Sequence, residues 1–161
     1  CGSGQFLLLV SKFAQPASVY GIEISDRLIE NANDLFGKAK VGEYAFNTFN
    51  GADFPSQLAE MDCIFLIDVI HHVPSNNLAA FVKQLYKVMK PGSRLILKDI
   101  NKGNPLVVFN KIHDAVFSGE IGNEISLENA EVLLQNAGFN ILEKTKRTMY
   151  VYPHYTIVAV K

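Results

Sequence analysis

Residues 63–67 read Cys-Ile-Phe-Leu-Ile, without a polar break, between Asp62 and Asp68. A strand with one wet face alternates apolar and polar side chains, whereas an unbroken run marks a strand covered on both faces. Both faces of a sheet are covered when helices cross over between parallel strands, so this one stretch already points to a layered α/β fold. A second such strand is predicted at Arg94–Ile100 (RLILKDI), after an amphipathic helix over 77–90 and the turn Pro91-Gly92.

The rest of the chain keeps the same rhythm. A helix is predicted over 5–15, with Phe6, Leu9, Val10 and Phe13 sharing a face, and Pro16 stops it. A β-rich run follows at 18–24 (SVYGIEI). Ser25 can cap a helix over 26–36, with Gly37 as its stop, and 43–49 alternates as a strand. The buried strand itself is predicted over 61–69. Beyond 94–100, helices are predicted over 105–117 and 127–137, the latter between Ser126 as cap and Gly138 as stop. Strands at 139–149 and 155–160 close the chain, joined across 150–153. They have no helix between them and should form an antiparallel pair. The expected fold is a doubly wound, mostly parallel sheet with an antiparallel strand pair at one edge, built as a single domain over residues 1–161.

Composition narrows the class. With 161 residues, 48% hydrophobic, and a net charge of -1, nothing electrostatic favours a nucleic acid or another polyanion. The two cysteines, Cys1 and Cys63, lack metal-ligand spacing, and a reducing, cytoplasmic setting is the default for such a chain. No apolar run approaches the roughly 18 to 20 residues of a membrane span. Cys63 lies inside the apolar run, which disfavours a nucleophilic thiolate.

Chemistry first shows in Cys1-Gly2-Ser3-Gly4, a glycine-rich loop running into the first helix. Backbone N–H groups at such a place hold a nucleotide-like ligand, and glycine lets it come close. A carboxylate at the end of the following strand, Glu23, can accept both ribose hydroxyls. Dinucleotide binders need a third glycine, and its position here is Leu7, which disfavours an NAD-linked oxidoreductase. A nucleoside without a pyrophosphate fits better.

Here the sequence resembles the class I S-adenosylmethionine-dependent methyltransferases of the small-molecule type, whose sheet is Rossmann-like. CGSG looks like the tail of that family's acidic-x-Gly-x-Gly-x-Gly motif, GIEIS like its second motif, and GADFP like its third-strand loop. MDCIFLIDVIHHVP resembles the fourth strand and the loop after it, VMKPGSRLIL the turn into the fifth, and NAGF the start of the sixth. The resemblance covers the whole chain. It implies S-adenosyl-L-methionine as cofactor, bound by Cys1, Gly2, Gly4, Glu23, Ile24, Asp53 and Asp68. It also implies a strand carrying an acidic residue and a further glycine ahead of Cys1. A version without that strand is an N-terminally truncated domain, expected to bind cofactor weakly or not at all.

Several residues carry two readings. In the family the adenine-binding acid directly follows the glycine, whereas Ala52 stands between Gly51 and Asp53, and Asp53 can equally cap a turn before Pro55. Asp68 can face the methionine part of the cofactor or be satisfied by a neighbouring loop. His71 and His72, in an extended loop, would point in opposite directions and make a poor zinc pair; no metal is expected. His71 is the candidate general base and His72 a pocket residue. His113, Tyr152 and His154 are the remaining candidates for the substrate pocket, against a reading in which they only pack. The expected activity is methyl transfer to a small organic or lipid-like acceptor. The rival is a methyltransferase-like domain that binds without catalysing.

Overall fold

Glycine placement decides the first half of the chain. In the computed structural model, which describes residues 1–102, 123–149 and 152–161, helix α1 (Gln5–Ala14) starts from Gly4 at φ +79°. A Cβ on Gly4 would stand 3.1 Å from the Cβ of Ala32 and 3.3 Å from the Phe36 ring. Gly4 therefore lets the start of α1 press against helix α2 (Asp26–Ala39), and its absent side chain serves packing. Between the helices runs strand β1 (Ser18–Glu23), parallel to β2 (Glu43–Thr48), with Ser18 opposite Glu43 and Glu23 opposite Thr48. Gly21 in β1 makes room for Phe46: a Cβ there would meet the ring at 2.6 Å. Val19, Ala32, Phe36 and Phe46 form the core of this unit, Cys1–Gln57.

Two expectations change here. Leu7 and Leu8 face the core, whereas the stripe Phe6, Leu9 and Phe13 is exposed, Phe13 at 86%. The tight seat of Gly4 on Ala32 fixes the rotation of α1, and the apolar periodicity alone did not reveal that seat. Helix α2 also runs through its predicted stop at Gly37. It ends at Lys40, whose left-handed backbone (φ 51°) lets its N–H donate to the Gly37 carbonyl while Val41 N–H donates to Phe36.

The second unit, Leu58–Lys161, holds a four-stranded sheet. Its elements in chain order are β3 (Cys63–Ile67), α3 (Leu78–Val88), β4 (Arg94–Ile100), α4 (Leu127–Ala137), β5 (Asn140–Met149) and β6 (Tyr152–Val160). Strands β3 and β4 are parallel, and β6 lies between β4 and β5, antiparallel to both. The antiparallel pair is at the edge as expected, and β6 takes the inner place. Tyr152 and Pro153, expected in the turn, belong to β6 because its ladder with β5 continues to Met149 opposite Tyr152. Leu95, Leu97, Ile157 and Ala159 alternate onto one fully buried face, and α3 and α4 contribute Val82, Leu85, Ala130 and Leu134 to the core. Within β3, Leu66 is buried and the other residues are half-buried; among the described residues β3 pairs with β4 alone. The helix predicted over 105–117, with His113, lies outside the described residues, as do Tyr150 and the side chain of Tyr152. No helix among the described residues is long and apolar enough to cross a membrane.

Candidate active site

At the carboxyl end of β1 the Glu23 side chain closes onto the glycine loop. Its Oε2 accepts the Gly2 N–H at 2.8 Å and the amine of Cys1 at 3.0 Å. Oε1 accepts the N–H of Ile24 at 2.9 Å and of Ser25 at 3.3 Å. Burial raises the carboxyl, but hydrogen bonds led by the Gly2 amide outweigh it, so Glu23 titrates below the ordinary range. Gly2 has φ +57°, and a side chain there would meet nothing within 4 Å. The loop thus combines an ionised acceptor with open space beside its backbone. Leu7, at the place of a dinucleotide binder's third glycine, fills that position with a side chain packed on the core.

Asp53 lies in a separate turn of the same unit. Asn50 organises it: its Oδ1 accepts the N–H groups of Ala52 and Asp53, and its Nδ2 donates to Asp53 Oδ2 at 2.9 Å. Phe49 and Phe54 stack with ring centroids 5.1 Å apart. Asp53 itself is exposed.

In the second unit His71 is buried and bound to a residue that sequence reasoning passed over. Its Nδ1 lies 2.6 Å from Oδ1 of Asp99, near the end of β4, and Asp99 is 1% exposed. The same carboxylate accepts the N–H of Ile70 at 2.9 Å and of Ile100 at 2.7 Å. A group already accepting two amides offers His71 an acceptor. With Asp99 as acceptor, the tautomer this contact favours carries its proton on Nδ1. His71 and His72 do not diverge as expected: residues 70–72 form a short 3₁₀ turn, and the two rings stand 4.0 Å apart. A helical turn separates neighbouring side chains by less than the half-turn of extended chain. His72 is exposed. Beyond the turn, Asn123 N–H donates to the His71 carbonyl at 2.7 Å, fastening the start of the 123–127 segment.

Asp68 and His154 meet on the same unit. Lys98 Nζ lies 3.0 and 3.2 Å from the two Asp68 oxygens, and His154 Nε2 is 3.8 Å from Oδ1. Tyr155, opposite Asp99 in the β4–β6 register, is buried, and burial followed by the Asp99 charge pushes its phenol far upward. Burial also pushes the Cys63 thiol up, with Arg94 opposing and Asp62 adding to it, which disfavours the thiolate.

A family model described as "Methyltransferase domain" matches residues 1–144. The chain belongs to the methyltransferase-domain family. Among its relatives is the 27-O-demethylrifamycin SV methyltransferase of Amycolatopsis mediterranei, 28% identical over 99% of this chain and 58% of that protein. Another is the O-methyltransferase cnsE of Penicillium expansum, 26% identical over 90% of this chain and 51% of that protein. The chain thus spans between half and three-fifths of the length of these relatives. The magnesium protoporphyrin IX methyltransferase of Synechocystis, solved with bound S-adenosylhomocysteine, shares the fold with a TM-score of 0.79. It is 21% identical, covering 100% of this chain and 71% of that one. The fold is therefore Rossmann-like, as expected.

The cofactor of this methyltransferase family is S-adenosyl-L-methionine, and the residues of the first unit fit its nucleoside. Glu23 is ionised and retains 15% side-chain exposure, and Gly2 leaves its flank open. Asp99 is the residue that sequence reasoning missed. A signal was present: in RLILKDI, Asp99 falls two residues after Leu97 and four after Leu95, on the parity of the buried leucines. A carboxylate on that face needs partners, and the turn carrying His71 supplies them.

Proposed function

We propose that the chain is the cofactor-binding core of an S-adenosylmethionine-dependent O-methyltransferase acting on a small organic or lipid-like acceptor. The observation that carries this reading is the Glu23 carboxylate, held ionised against the Gly2 amide in a chain of the methyltransferase-domain family. Glu23 would accept the ribose hydroxyls, with Cys1, Gly2, Gly4 and Ile24 forming the loop around the nucleoside and Asp53 a candidate for the adenine amine. When bound, the cofactor supplies a methyl group made electrophilic by its sulfonium.

An oxygen acceptor is supported by two relatives, one named for the 27-O position of a rifamycin and one an O-methyltransferase. A hydroxyl is a poor nucleophile until it loses its proton. His71 Nε2 would take that proton, and Asp99 would hold the ring and stabilise the imidazolium it becomes. His72 would border the acceptor.

The test is calorimetric titration of the intact protein with S-adenosylhomocysteine, followed by methyl transfer to a panel of hydroxylated apolar compounds. Binding that Glu23→Ala abolishes, together with transfer that His71→Ala slows by roughly 10²–10⁴-fold at unchanged cofactor affinity, supports the reading. Absence of nucleoside binding by the full-length protein would sink it.

A further inference from the structure

Strand β5 ends the four-stranded sheet on one side, and among the described residues it pairs with β6 alone. Its free side presents backbone N–H and C=O groups that a further strand can take up. Every residue over 142–148 is exposed. Among the described residues of this unit, the exposed large apolar side chains are Leu142 of β5 and Val132 of α4. The charges of β5 are divided between its two faces. Lys144 Nζ lies 2.8 Å from both carboxylate oxygens of Glu131, and Lys146 Nζ lies 2.7 Å from Glu128, so α4 neutralises the lysine face. Strand alternation puts Glu143, Thr145 and Arg147 on the opposite face, all exposed.

Charges on an edge strand ordinarily keep other strands away. Here their spacing is self-complementary. Two copies joined edge to edge as antiparallel strands are related by a two-fold axis normal to the sheet, which sets like face beside like face. Opposed residues must then differ by an even number of positions. Under that condition Glu143 can oppose a cation of β5 in one register alone: Thr145 lies on the axis, and Glu143 of one protomer faces Arg147 of its partner. The axis makes that pair twice. The same register sets Lys144 against the partner's Lys146, a like-charge contact that Glu131 and Glu128 offset from α4. Thr145 meets its own copy, a cross-strand pair that can hydrogen-bond. We infer that β5 is a homodimer edge, on which two copies pair antiparallel about Thr145 and extend the sheet across both protomers.

Sedimentation equilibrium of the intact protein over a range of concentrations tests this, together with amide hydrogen exchange along β5. Wild-type protein is expected to dimerise, and the β5 amides should exchange more slowly as concentration rises. Glu143→Arg or Arg147→Glu alone sets like charges opposite each other at two places, and each should weaken dimerisation by about tenfold or more. The double variant Glu143→Arg with Arg147→Glu restores opposite charges and should dimerise as wild type does, which also reports an intact fold. A monomer at every concentration overturns the inference; slow exchange along β5 in that monomer would assign the edge to another segment of the same chain. A dimer that either single substitution leaves unchanged uses another face and overturns it as well. So does a dimer weakened by both and not restored in the double variant, because charge opposition would then not set the register.

Discussion

Glu23 and Asp99 are the same device in two settings. Each is a carboxylate at the carboxyl end of a strand, and each ties down a loop by accepting backbone N–H groups. Glu23 is held by backbone nitrogens and keeps 15% side-chain exposure. Asp99 is sealed from water and spends one oxygen on His71. A partly exposed carboxylate can serve as a binding group, whereas a buried one commits its charge to orienting a neighbour.

The largest expected effect separates the two by stability. Asp99→Ala strands the Ile70 and Ile100 amides and His71 Nδ1 in a dry site, and should lower the unfolding free energy by about 3–5 kcal/mol. Glu23→Ala leaves amides that water can reach and should lower it far less. Urea denaturation of both variants checks this, and equal losses would break the comparison.

Asp99→Asn sharpens it. An amide nitrogen facing Nδ1 favours the opposite tautomer, so the basic lone pair should leave Nε2. Nitrogen NMR of labelled histidine should show His71 switching tautomer while His72 does not.

Next come the glycines that set the loop in front of Glu23. Gly21→Ala drives a methyl into the Phe46 ring, and Gly4→Ala adds a forbidden backbone to a close contact with Ala32. Each should cost about 1–3 kcal/mol. Unfolding followed by probes in the first unit measures this, and the His71 tautomer serves as the control that should not move.

The smallest effect is a pH dependence. Because the folded state lowers the Glu23 pKa, its contribution is present above the unfolded value of about 4.3 and is lost as pH falls through the folded one. The stability gap between wild type and Glu23→Gln should hold from pH 7 to 5 and close below about pH 4. A gap that widens on acidification would show the sign to be wrong.

Legibility followed the range of the forces involved. Strand–helix alternation, the Ser126 cap and Gly138 stop of α4, and the position of Glu23 are local patterns, and all were readable. The exposed stripe of α1 was not, because the contact of Gly4 with Ala32 and Phe36 joins segments that sequence does not place side by side. Helix α2 outran Gly37 since that residue takes helical angles, and its Cβ position lies 3.6 Å from the Tyr44 hydroxyl. The pairing of His71 with Asp99 is equally non-local. The family resemblance brought attention to His71, while the alternation of RLILKDI held the clue to its partner.

The inner position of β6 also governs the order in which the second unit can be built. β5 is made before β6, yet β6 is the only strand it pairs with among the described residues, and β4 has only β3 until then. Arg94 finds its neighbour in Val160, far along the chain. Such distant pairing slows folding, so this sheet cannot zip up in step with synthesis. Until β6 arrives, β5 is an open ribbon edge with exposed Leu142 at its bulge, and that interval is when the chain is most vulnerable to pairing with the wrong partner.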